Sequence, residues 1–508
     1  MTGNLYDALL KDLDHASRTF ITHPDGGSLT FGDFADMCAR IGGALVAEGL
    51  KPGDRVAVQV EKSVTALALY LGTVRAGGIF LPLNTAYTPA EIAYFLGDAR
   101  PSIFVCDPRK REALEPIARE AGAKVLTLDA QGQGALADAA SAAGPLERTS
   151  ERGGGDVAAI LYTSGTTGRS KGAMLTHDNL LSNALVLVDY WRFTSDDVLI
   201  HALPIFHTHG LFVATNVVLA ARASMIFLPK FDPDQIMAAM PRATALMGVP
   251  TFYTRLLQHS GLNRETTGHM RLFVSGSAPL LAETHREWEA RTGHAILERY
   301  GMTETNMNTS NPYDGGRVAG TVGFPLPGVE LRVVDPETGD RLDTDAIGMI
   351  EVRGPNVFCG YWQMPEKTAA EFRKDGFFIT GDLGKVDADG YVHIVGRGKD
   401  LIISGGYNVY PKEVEMELDV LPGVVESAVI GVPHPDFGEG IVAALVLQPG
   451  AVLSEGDIAH ALESRLASYK RPKKIAFVAE LPRNTMGKVQ KNLLREQFAN
   501  SFTAAAAE

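Results

Sequence analysis

The sequence predicts an α/β protein with a large N-terminal domain and a smaller C-terminal domain. The chain has 508 residues, more than one hydrophobic core usually accommodates, and its 45% of apolar residues can fill several cores. Short apolar runs alternate with helical patterns in the N-terminal part, as they do in parallel βαβ units. Near residues 396–400 apolar strands give way to glycine and charged residues, and a second α/β pattern follows. We therefore expect domains over residues 1–397 and 398–508.

The N-terminal pattern can be followed element by element. Residues 55–60 alternate as a strand, a helical pattern begins at Val64, and residues 79–83 form the next apolar run. Thr88 then opens another helix as its N-cap, and Glu91 completes a capping box. This repetition predicts a parallel sheet covered by helices.

Composition limits the class of protein and its compartment. Residues 130–156 are rich in alanine, glycine, serine and charge, which predicts a surface connection. The three cysteines, Cys38, Cys106 and Cys359, are too few for a disulfide framework, and we expect each of them in or near a core. No apolar run reaches the roughly 18 residues of a membrane span, and the N-terminus lacks the charge pattern of a secretory signal. These features predict a cytoplasmic protein with no membrane partner.

The charge balance bears on the binding partners. The net charge of −13 disfavours binding to nucleic acid. An enzyme with anionic ligands would have to concentrate its positive charge locally. The basic stretch that includes Lys470 is either a solvated surface or a contact with phosphate groups.

The strongest local signal is a loop rich in glycine and hydroxyl groups, residues 163–172, directly after the apolar strand 157–162. Glycines let backbone N–H groups approach phosphate oxygens, hydroxyls donate further hydrogen bonds, and a lysine neutralises negative charge. The loop therefore predicts a triphosphate site. Its spacing differs from that of the P-loop NTPases, so we infer neither their fold nor their chemistry. The alternative is a flexible loop without a ligand. The predicted phosphate ligands are Thr163, Ser164, Gly165, Thr166, Thr167, Gly168 and Lys171.

Five more motifs follow in order: SGSAP at 275–279, YGMTET at 300–305, TGD at 380–382, GRGKD at 396–400 and PRNTMGK at 482–488. With these motifs nearly the whole chain resembles the adenylate-forming superfamily, which includes acyl-CoA synthetases, luciferases and the adenylation domains of peptide synthetases. The resemblance implies a β-rich subdomain in the N-terminal domain and a small, mobile α+β C-terminal domain. It also implies that the chain uses ATP and Mg²⁺ to convert a carboxylate into its acyl-adenylate and passes the acyl group to coenzyme A.

The resemblance assigns nucleotide contacts. Thr303 would hold the α-phosphate, and Glu304 would bind Mg²⁺, which prefers carboxylate and phosphate oxygens. Asp382 and Arg397 would contact the ribose. The adenine slot would be built from Gly276, Ser277, Ala278, Pro279, Glu298, Arg299 and Tyr300. Gly301 is a further predicted nucleotide contact.

Lys488 is the predicted catalytic cation. Attack by a carboxylate on the α-phosphate brings two anions together, and a cation between them stabilises the transition state. In this superfamily that cation is the lysine after glycine in the C-terminal motif. If a lysine acetyltransferase modified Lys488, the charge would vanish and adenylation should fail.

The second half-reaction needs other groups at the same acyl carbon, and the superfamily supplies them by rotating the C-terminal domain. Lys399 occupies the hinge position of the resemblance, in a segment suited to large backbone changes. Ser404, Gly405, Gly406 and Lys470 are the predicted contacts of coenzyme A. The alternative for residues 404–408 is a tight turn between strands.

The acyl pocket suggests the acid. A small dicarboxylate requires a cation beside the pocket to pair with its second carboxylate, and Arg255 is the predicted cation. We expect Thr251 to cap this helix and Arg255 to share a face with Phe252. An arginine here resembles the malonyl-CoA and methylmalonyl-CoA synthetases, and malonate is the predicted substrate. Arg255 could also be a helix-surface residue. By resemblance His207, Thr208 and Met302 line the pocket.

Three alternative functions remain open. The same motifs would serve a ligase for oxalate, acetate or an aryl acid. A stand-alone enzyme that loads an amino acid onto a carrier protein would need an acidic residue near residues 208–212, and that stretch has none. A nucleotide sensor without catalysis would not need Lys488.

Overall fold

The computed structural model describes residues 3–11, 15–163, 170–404, 407–484 and 487–502. The α-helices are α1 Leu5–Leu10, α2 Phe31–Ala47, α3 Val64–Arg75, α4 Pro89–Ala99, α5 Arg111–Glu120, α6 Ala135–Ala142, α7 His177–Tyr190, α8 Asn216–Ala220, α9 Pro233–Ala239, α10 Pro250–Leu257, α11 Ala282–Thr292, α12 Pro365–Glu371, α13 Pro411–Asp419, α14 Glu455–Glu463 and α15 Lys491–Phe498. A π-helical segment, His209–Thr215, leads directly into α8. Short 3₁₀ segments are Pro108–Lys110, Met240–Arg242, Gly398–Asp400 and Ser468–Lys470.

The strands are β1 Thr19–Thr22, β2 Ser28–Thr30, β3 Arg55–Gln59, β4 Ile79–Pro82, β5 Ile103–Cys106, β6 Lys124–Thr127, β7 Val157–Thr163, β8 Lys171–Thr176, β9 Val198–His201, β10 Ser224–Phe227, β11 Ala245–Gly248, β12 Leu272–Ser275, β13 Leu297–Met302, β14 Asn306–Ser310, β15 Phe324–Pro325, β16 Glu330–Val334, β17 Gly348–Arg353, β18 Gly360–Tyr361, β19 Phe378–Val386, β20 Val392–Arg397, β21 Ile402–Ser404, β22 Tyr407–Val409, β23 Val424–His434, β24 Gly438–Leu447 and β25 Lys474–Phe477.

Two large sheets carry the N-terminal part. One has the order β18-β8-β7-β4-β3-β5-β6, and its strands from β7 to β6 are parallel. The other has the order β15-β14-β13-β12-β11-β9-β10-β1-β2, with parallel pairing from β13 to β1. The predicted α/β class and the predicted βαβ repeat are therefore confirmed.

Two smaller sheets follow along the chain. Strands β16, β17, β19 and β20 form an antiparallel sheet, which is the β-rich part that the resemblance implied. The C-terminal part forms a sheet in the order β22-β21-β24-β23, and β25 pairs with β24 in parallel. Helices α13, α14 and α15 surround this last sheet in an α+β arrangement.

Local signals at helix ends are partly confirmed. Thr88 caps α4, and its hydroxyl and the Glu91 carboxylate form the predicted capping box. Helix α10 instead begins at Pro250 with Val249 at the N-cap, so the prediction that Thr251 caps this helix is wrong. Proline suits the first helical turn because it has no N–H group to leave unpaired.

Other expectations need correction. The stretch 130–156 is not only a surface connection, because it contains α6, whose Leu136 is fully buried. Cys38 and Cys106 are buried as expected, but Cys359 is exposed just before β18. None of the helices in the described residues is long and apolar enough to cross a membrane.

The buried apolar residues before and after the predicted domain border belong to separate clusters. The last fully buried member of the large N-terminal cluster is Val392, and the first member of a C-terminal cluster is Ile402. The border between residues 397 and 398 remains a prediction. The two parts do touch, since α13 packs near β20.

Candidate active site

The predicted site residues lie where strands of the two large sheets end. Strand β7 ends at Thr163, β12 ends at Ser275 and β13 ends at Met302. In open α/β sheets, ligands bind beyond the carboxyl ends of the strands. The predicted phosphate ligands Ser164, Gly165, Thr166, Thr167 and Gly168 lie outside the described residues.

The two ends of the phosphate loop are paired. Thr163 and Lys171 are neighbours in the antiparallel pair of β7 and β8. The Nζ atom of Lys171 donates to Glu371 Oε1 at 3.0 Å and lies 4.1 Å from the ring centroid of Tyr361. Sequence reasoning did not predict Glu371 or Tyr361, because neither contact follows from the local pattern.

Glu304 is a buried carboxylate that lies two residues after the end of β13. Its Oε1 atom lies 3.0 Å from the hydroxyl of Tyr361. Burial raises the pKa of Glu304, while hydrogen bonds and the charges of Arg397 and Lys171 oppose that shift. The neighbouring Thr303 is half-buried.

The donor set around Glu304 fits Mg²⁺. Among the described residues, no group of three or more His, Cys, Asp or Glu side chains could hold a metal by itself. Magnesium is usually held by one or two carboxylates together with substrate phosphates rather than by a cage of protein ligands. Glu304 would therefore hold the ion with phosphate oxygens and help to neutralise their charge.

The predicted ribose ligand is engaged by two protein groups. Asp382 is buried, and its Oδ2 atom accepts a hydrogen bond of 2.5 Å from the Tyr300 hydroxyl. Its Oδ1 atom lies 2.7 Å from Arg397 Nε. Each carboxylate oxygen has a second lone pair, so Asp382 can still accept from sugar hydroxyls.

The other residues of the predicted adenine slot lie nearby. Glu298 is buried, accepts from the backbone N–H of Gly320 at 3.2 Å, and pairs with His285 Nδ1 at 3.1 Å. Gly301 has no room for a side chain, because a Cβ would collide with the backbone of Asn306. Ala278 and Ser277 are half-buried.

The C-terminal domain brings Lys488 to this site. The loop that carries Lys488 is held by Asn484, whose Oδ1 accepts the Lys488 backbone N–H at 3.0 Å. A Cβ on Gly487 would lie 3.3 Å from the Thr251 side chain, so the loop rests on the start of α10. Lys488 is exposed, but the surrounding protein atoms partly desolvate its amine and lower its pKa, and the charge of Arg397 lowers it further. The carboxylates of Asp382, Asp400 and Glu304 act in the opposite direction.

The acyl side contains buried polar atoms without partners among the described residues. They are Thr208 Oγ1, His209 Nε2, Ser275 Oγ, and Nε and Nη2 of Arg299. A side chain at Gly276 would collide with the Arg299 guanidinium, so only glycine lets the backbone pass over it. Burial lowers the pKa of Arg299, but an arginine starts so high that it is still a cation at neutral pH.

The histidines of this pocket are neutral. Burial lowers the pKa of His207 to about 4, with further lowering by the charges of Arg299 and Lys488. Burial and Arg299 lower the pKa of His209 as well. His209 Nδ1 lies 3.4 Å from Ser277 Oγ, a contact that places Ser277 beside the acyl pocket.

Arg255 and Arg299 differ from expectation. Arg255 is exposed on α10, and its guanidinium lies 5.8 Å from the ring centroid of Phe231. Phe252 is buried and packs on the same ring, with its centroid 4.3 Å from that of Phe231, so the two residues share a face of α10 as predicted although only Phe252 is buried. Sequence reasoning placed Arg299 with the nucleotide, and in the structure its charge also acts on His207 and His209. The role of Arg255 as a substrate ligand remains a prediction.

Two methionines lie beside Tyr300 and Gly301. The Tyr300 hydroxyl lies 3.7 Å from Met302 Sδ. Met307 is buried, and its methyl group lies against the space beside Gly301. Sequence reasoning missed Met307, which the apolar spacing within the polar strand β14 could have indicated.

The predicted hinge and coenzyme A residues follow the predicted domain border at residues 397–398. Lys399 is an exposed residue. Partial desolvation of its amine, together with nearby cations, nevertheless lowers its pKa to about 8. Ser404 is buried and pairs with Gly438 of β24, while Gly405 and Gly406 lie outside the described residues. Lys470 Nζ lies 2.5 Å from Glu413 Oε1, which compensates its charge. These roles remain predictions.

Family comparisons agree with the geometry. The family described as AMP-binding enzyme matches residues 12–362, and the AMP-binding enzyme C-terminal domain matches residues 413–488. The chain belongs to the AMP-binding enzymes.

Particular relatives resemble nearly the whole chain. The crystal structure of ATP-bound MatB from Rhodopseudomonas palustris is 65% identical, covers 99% of this chain and 100% of that chain, and superposes with a TM-score of 0.98. Apo MatB from the same organism, with the same identity and coverage, gives a TM-score of 0.86. The malonate–CoA ligase of Arabidopsis thaliana is 33% identical over 98% of this chain and 89% of that protein. The backbone of this AMP-binding enzyme therefore agrees better with the ATP-bound arrangement.

Proposed function

We propose that this enzyme is an ATP-dependent malonate–CoA ligase that forms AMP, and that methylmalonate is its second substrate. The observation that carries the proposal is the buried guanidinium of Arg299, whose Nε and Nη2 atoms have no partner among the described residues and whose charge acts on His207 and His209. The Arabidopsis relative, a malonate–CoA ligase, supports the same substrate.

The charge of Arg299 favours a dicarboxylate. A buried cation without a partner is unfavourable, and an anion with two oxygens would satisfy both unpaired nitrogens. The second carboxylate of malonate is such an anion. Thr208 Oγ1 and Ser275 Oγ supply further hydrogen bonds. Acetate would leave the cation unpaired, and an aryl acid would place a ring against it.

The nucleotide side supports activation as an adenylate. In the first step the reacting carboxylate of malonate attacks the α-phosphate and pyrophosphate leaves. Lys488 stabilises the two anions as they approach, and Asp382 orients the ribose. Mg²⁺ held by Glu304 would neutralise the phosphate oxygens.

The second step transfers the acyl group to the thiol of coenzyme A and releases AMP. We infer that the C-terminal domain rotates about Lys399 between the steps, because the two half-reactions need different groups at the same acyl carbon. Ser404, Gly405, Gly406 and Lys470 would then bind coenzyme A. The exposed position of Lys399 supports this assignment.

Two finer assignments complete the proposal. We place the enzyme in the cytoplasm, because three free cysteines fit a reducing compartment. We also propose Lys488 as the target of a lysine acetyltransferase, because its side chain is exposed and its charge is required. Treatment with an acetyltransferase should remove adenylation activity and leave Lys488→Arg unmodified.

The test is AMP formation from acetate, oxalate, malonate, methylmalonate and benzoate, in the native enzyme, in Arg299→Met and in Arg255→Ala. Turnover should be led by malonate and collapse in Arg299→Met. If malonate turnover is lost in Arg255→Ala but not in Arg299→Met, the substrate contact is Arg255 on α10. Turnover led by a monocarboxylate would reject malonate and keep the ligase class. If no acid yields AMP, the ligase proposal is wrong.

A further inference from the structure

A row of polar contacts connects the end of the phosphate loop with the predicted metal ligand. Lys171 Nζ donates to Glu371 Oε1 at 3.0 Å, and Tyr361 Oη lies 2.6 Å from Glu371 Oε2. The same hydroxyl lies 3.0 Å from Glu304 Oε1. We call Lys171, Glu371, Tyr361 and Glu304 the Glu371 bridge.

The backbone holds this bridge in place independently of the ion pair. Strand β18 pairs with β8, so that Tyr361 is opposite Ala173 in the strand that leaves the phosphate loop. The Tyr361 backbone N–H donates to Thr368 Oγ1 at 2.9 Å, which ties β18 to α12. Glu371 is the last residue of α12. A side-chain replacement at position 371 should therefore leave the local fold intact.

Glu371 compensates the charge of the loop lysine. The side chains of Lys171 and Glu371 are each 20% exposed, so their attraction is only partly screened by water. Lys367, one turn earlier on α12, is the second cation on Glu371, with its Nζ atom 2.8 Å from Oε1. Glu371 is thus an anion beside the place where phosphate oxygens are expected.

We propose that Glu371 is a positioning residue that competes with the polyphosphate for Lys171 and thereby speeds the release of pyrophosphate. The proposal rests on the proposed function, because it takes Lys171 as a phosphate ligand. Without phosphate, Lys171 is held by Glu371. When ATP binds, the ammonium group turns toward the phosphates. After adenylation, Glu371 repels the departing pyrophosphate and takes Lys171 back.

The competition has a definite direction. A carboxylate that shares a cation with a ligand of the same charge weakens the binding of that ligand. Neutralising Glu371 should therefore tighten pyrophosphate binding. A residue that only holds Lys171 ready for the nucleotide would have the opposite effect.

The experiment compares Glu371→Gln with Lys367→Met. Glutamine keeps the size of the side chain and an acceptor for Tyr361 but removes the charge. The inhibition constant of pyrophosphate against ATP should fall by about twofold to fivefold in Glu371→Gln, the range expected for a partly exposed ion pair. Single-turnover formation of the adenylate should change less than the inhibition constant. Lys367→Met keeps Glu371 charged, and its inhibition constant should not fall.

The outcomes separate this proposal from the proposed function. An inhibition constant that is unchanged or higher in Glu371→Gln overturns the competition, and so does an equal fall in Lys367→Met. Calorimetric titration of both variants with Mg²⁺ and pyrophosphate needs no acid substrate. It tests the competition even if malonate is the wrong acid, and tighter binding in Glu371→Gln alone would support it. Absence of pyrophosphate binding in the native enzyme would reject the phosphate site itself.

Discussion

The predicted nucleotide side and the predicted acyl side of the site differ in the pairing of their buried polar groups. On the nucleotide side, Lys171 is paired with Glu371, and Asp382 is paired with Tyr300 and Arg397. On the acyl side, Arg299 and His209 have buried nitrogen atoms without partners among the described residues.

The two sides therefore differ in the free-energy cost of binding a ligand. A paired group exchanges a protein partner for a ligand, so that the ligand-free protein is stable but the ligand must compete. An unpaired buried group lowers the stability of the ligand-free protein, and a ligand that satisfies it gains that free energy. The acyl side is therefore preorganised for an anion, whereas the nucleotide side is held ready by internal pairs.

The largest effect is expected at Lys488, which lies between the two sides. Lys488→Gln should reduce adenylate formation by about 10²-fold to 10³-fold or more, because it removes the cation that stabilises the transition state. Transfer of the acyl group from supplied malonyl-adenylate to coenzyme A should be nearly unchanged. Rapid-quench measurement of both half-reactions tests this separation. The exposed Lys374→Gln is the matched control, and an equal loss in both half-reactions would argue for a structural defect.

Arg299→Met should separate binding from stability on the acyl side. The KM for malonate should rise by about 30-fold or more, since a buried charge contact is typically worth 2–5 kcal/mol. The free energy of unfolding without ligand should increase by about 1 kcal/mol, because an unpaired buried cation is replaced by an apolar side chain. Malonate kinetics and urea unfolding measure the two effects. A less stable variant would mean that Arg299 has a protein partner in solution.

Asp382→Asn should behave in the opposite way on the nucleotide side. The KM for ATP should rise by about tenfold, and the free energy of unfolding should fall by about 1–3 kcal/mol, because Arg397 loses a buried charged partner. ATP kinetics and urea unfolding give both numbers. If Arg299→Met and Asp382→Asn change stability with the same sign, the contrast between the two sides is wrong.

The smallest effect is expected from pH. The pKa of His207 is lowered to about 4 in the folded protein, mainly by burial, while the unfolded chain has an ordinary histidine. Between the ordinary pKa of about 6.5 and the lowered value, the unfolded state binds more protons, so the contribution of neutral His207 is lost as the pH falls through this window. Thermal unfolding of His207→Gln should therefore lose less stability than the native enzyme between pH 7 and pH 4. If the stability of both proteins changes equally with pH, His207 does not contribute to the pH dependence of stability.

Sequence reasoning succeeded where the cause is local. The capping box of Thr88 and Glu91 depends on residues three positions apart, and the parallel sheet follows from the alternation of apolar runs with helices. Motif order led to the AMP-binding family, because each motif is short and contiguous. The individual roles of Glu304, Asp382 and Lys488 remain predictions, although the structure brings all three to one site.

Sequence reasoning was weakest where two distant segments meet. On α10 it could not tell that Arg255 is exposed while Phe252 is buried, since the helix pattern allows either orientation. It assigned Arg299 to the nucleotide by its neighbours in the chain. It could not predict that the Arg299 side chain passes beneath Gly276, because that contact joins adjacent strands. Cys359 was also predicted in or near a core, but it is exposed because it lies just before the short strand β18.

The α/β class and the family could be predicted from the amino-acid sequence, because they depend on periodicity and on contiguous motifs. The tertiary structure was needed to show that Glu371 pairs with Lys171 and that the Arg299 side chain lies beneath Gly276. Arg299 and Glu371 acquire their surroundings from strands and helices far away in the chain. Burial and pairing are properties of that packing, so no local pattern could reveal them.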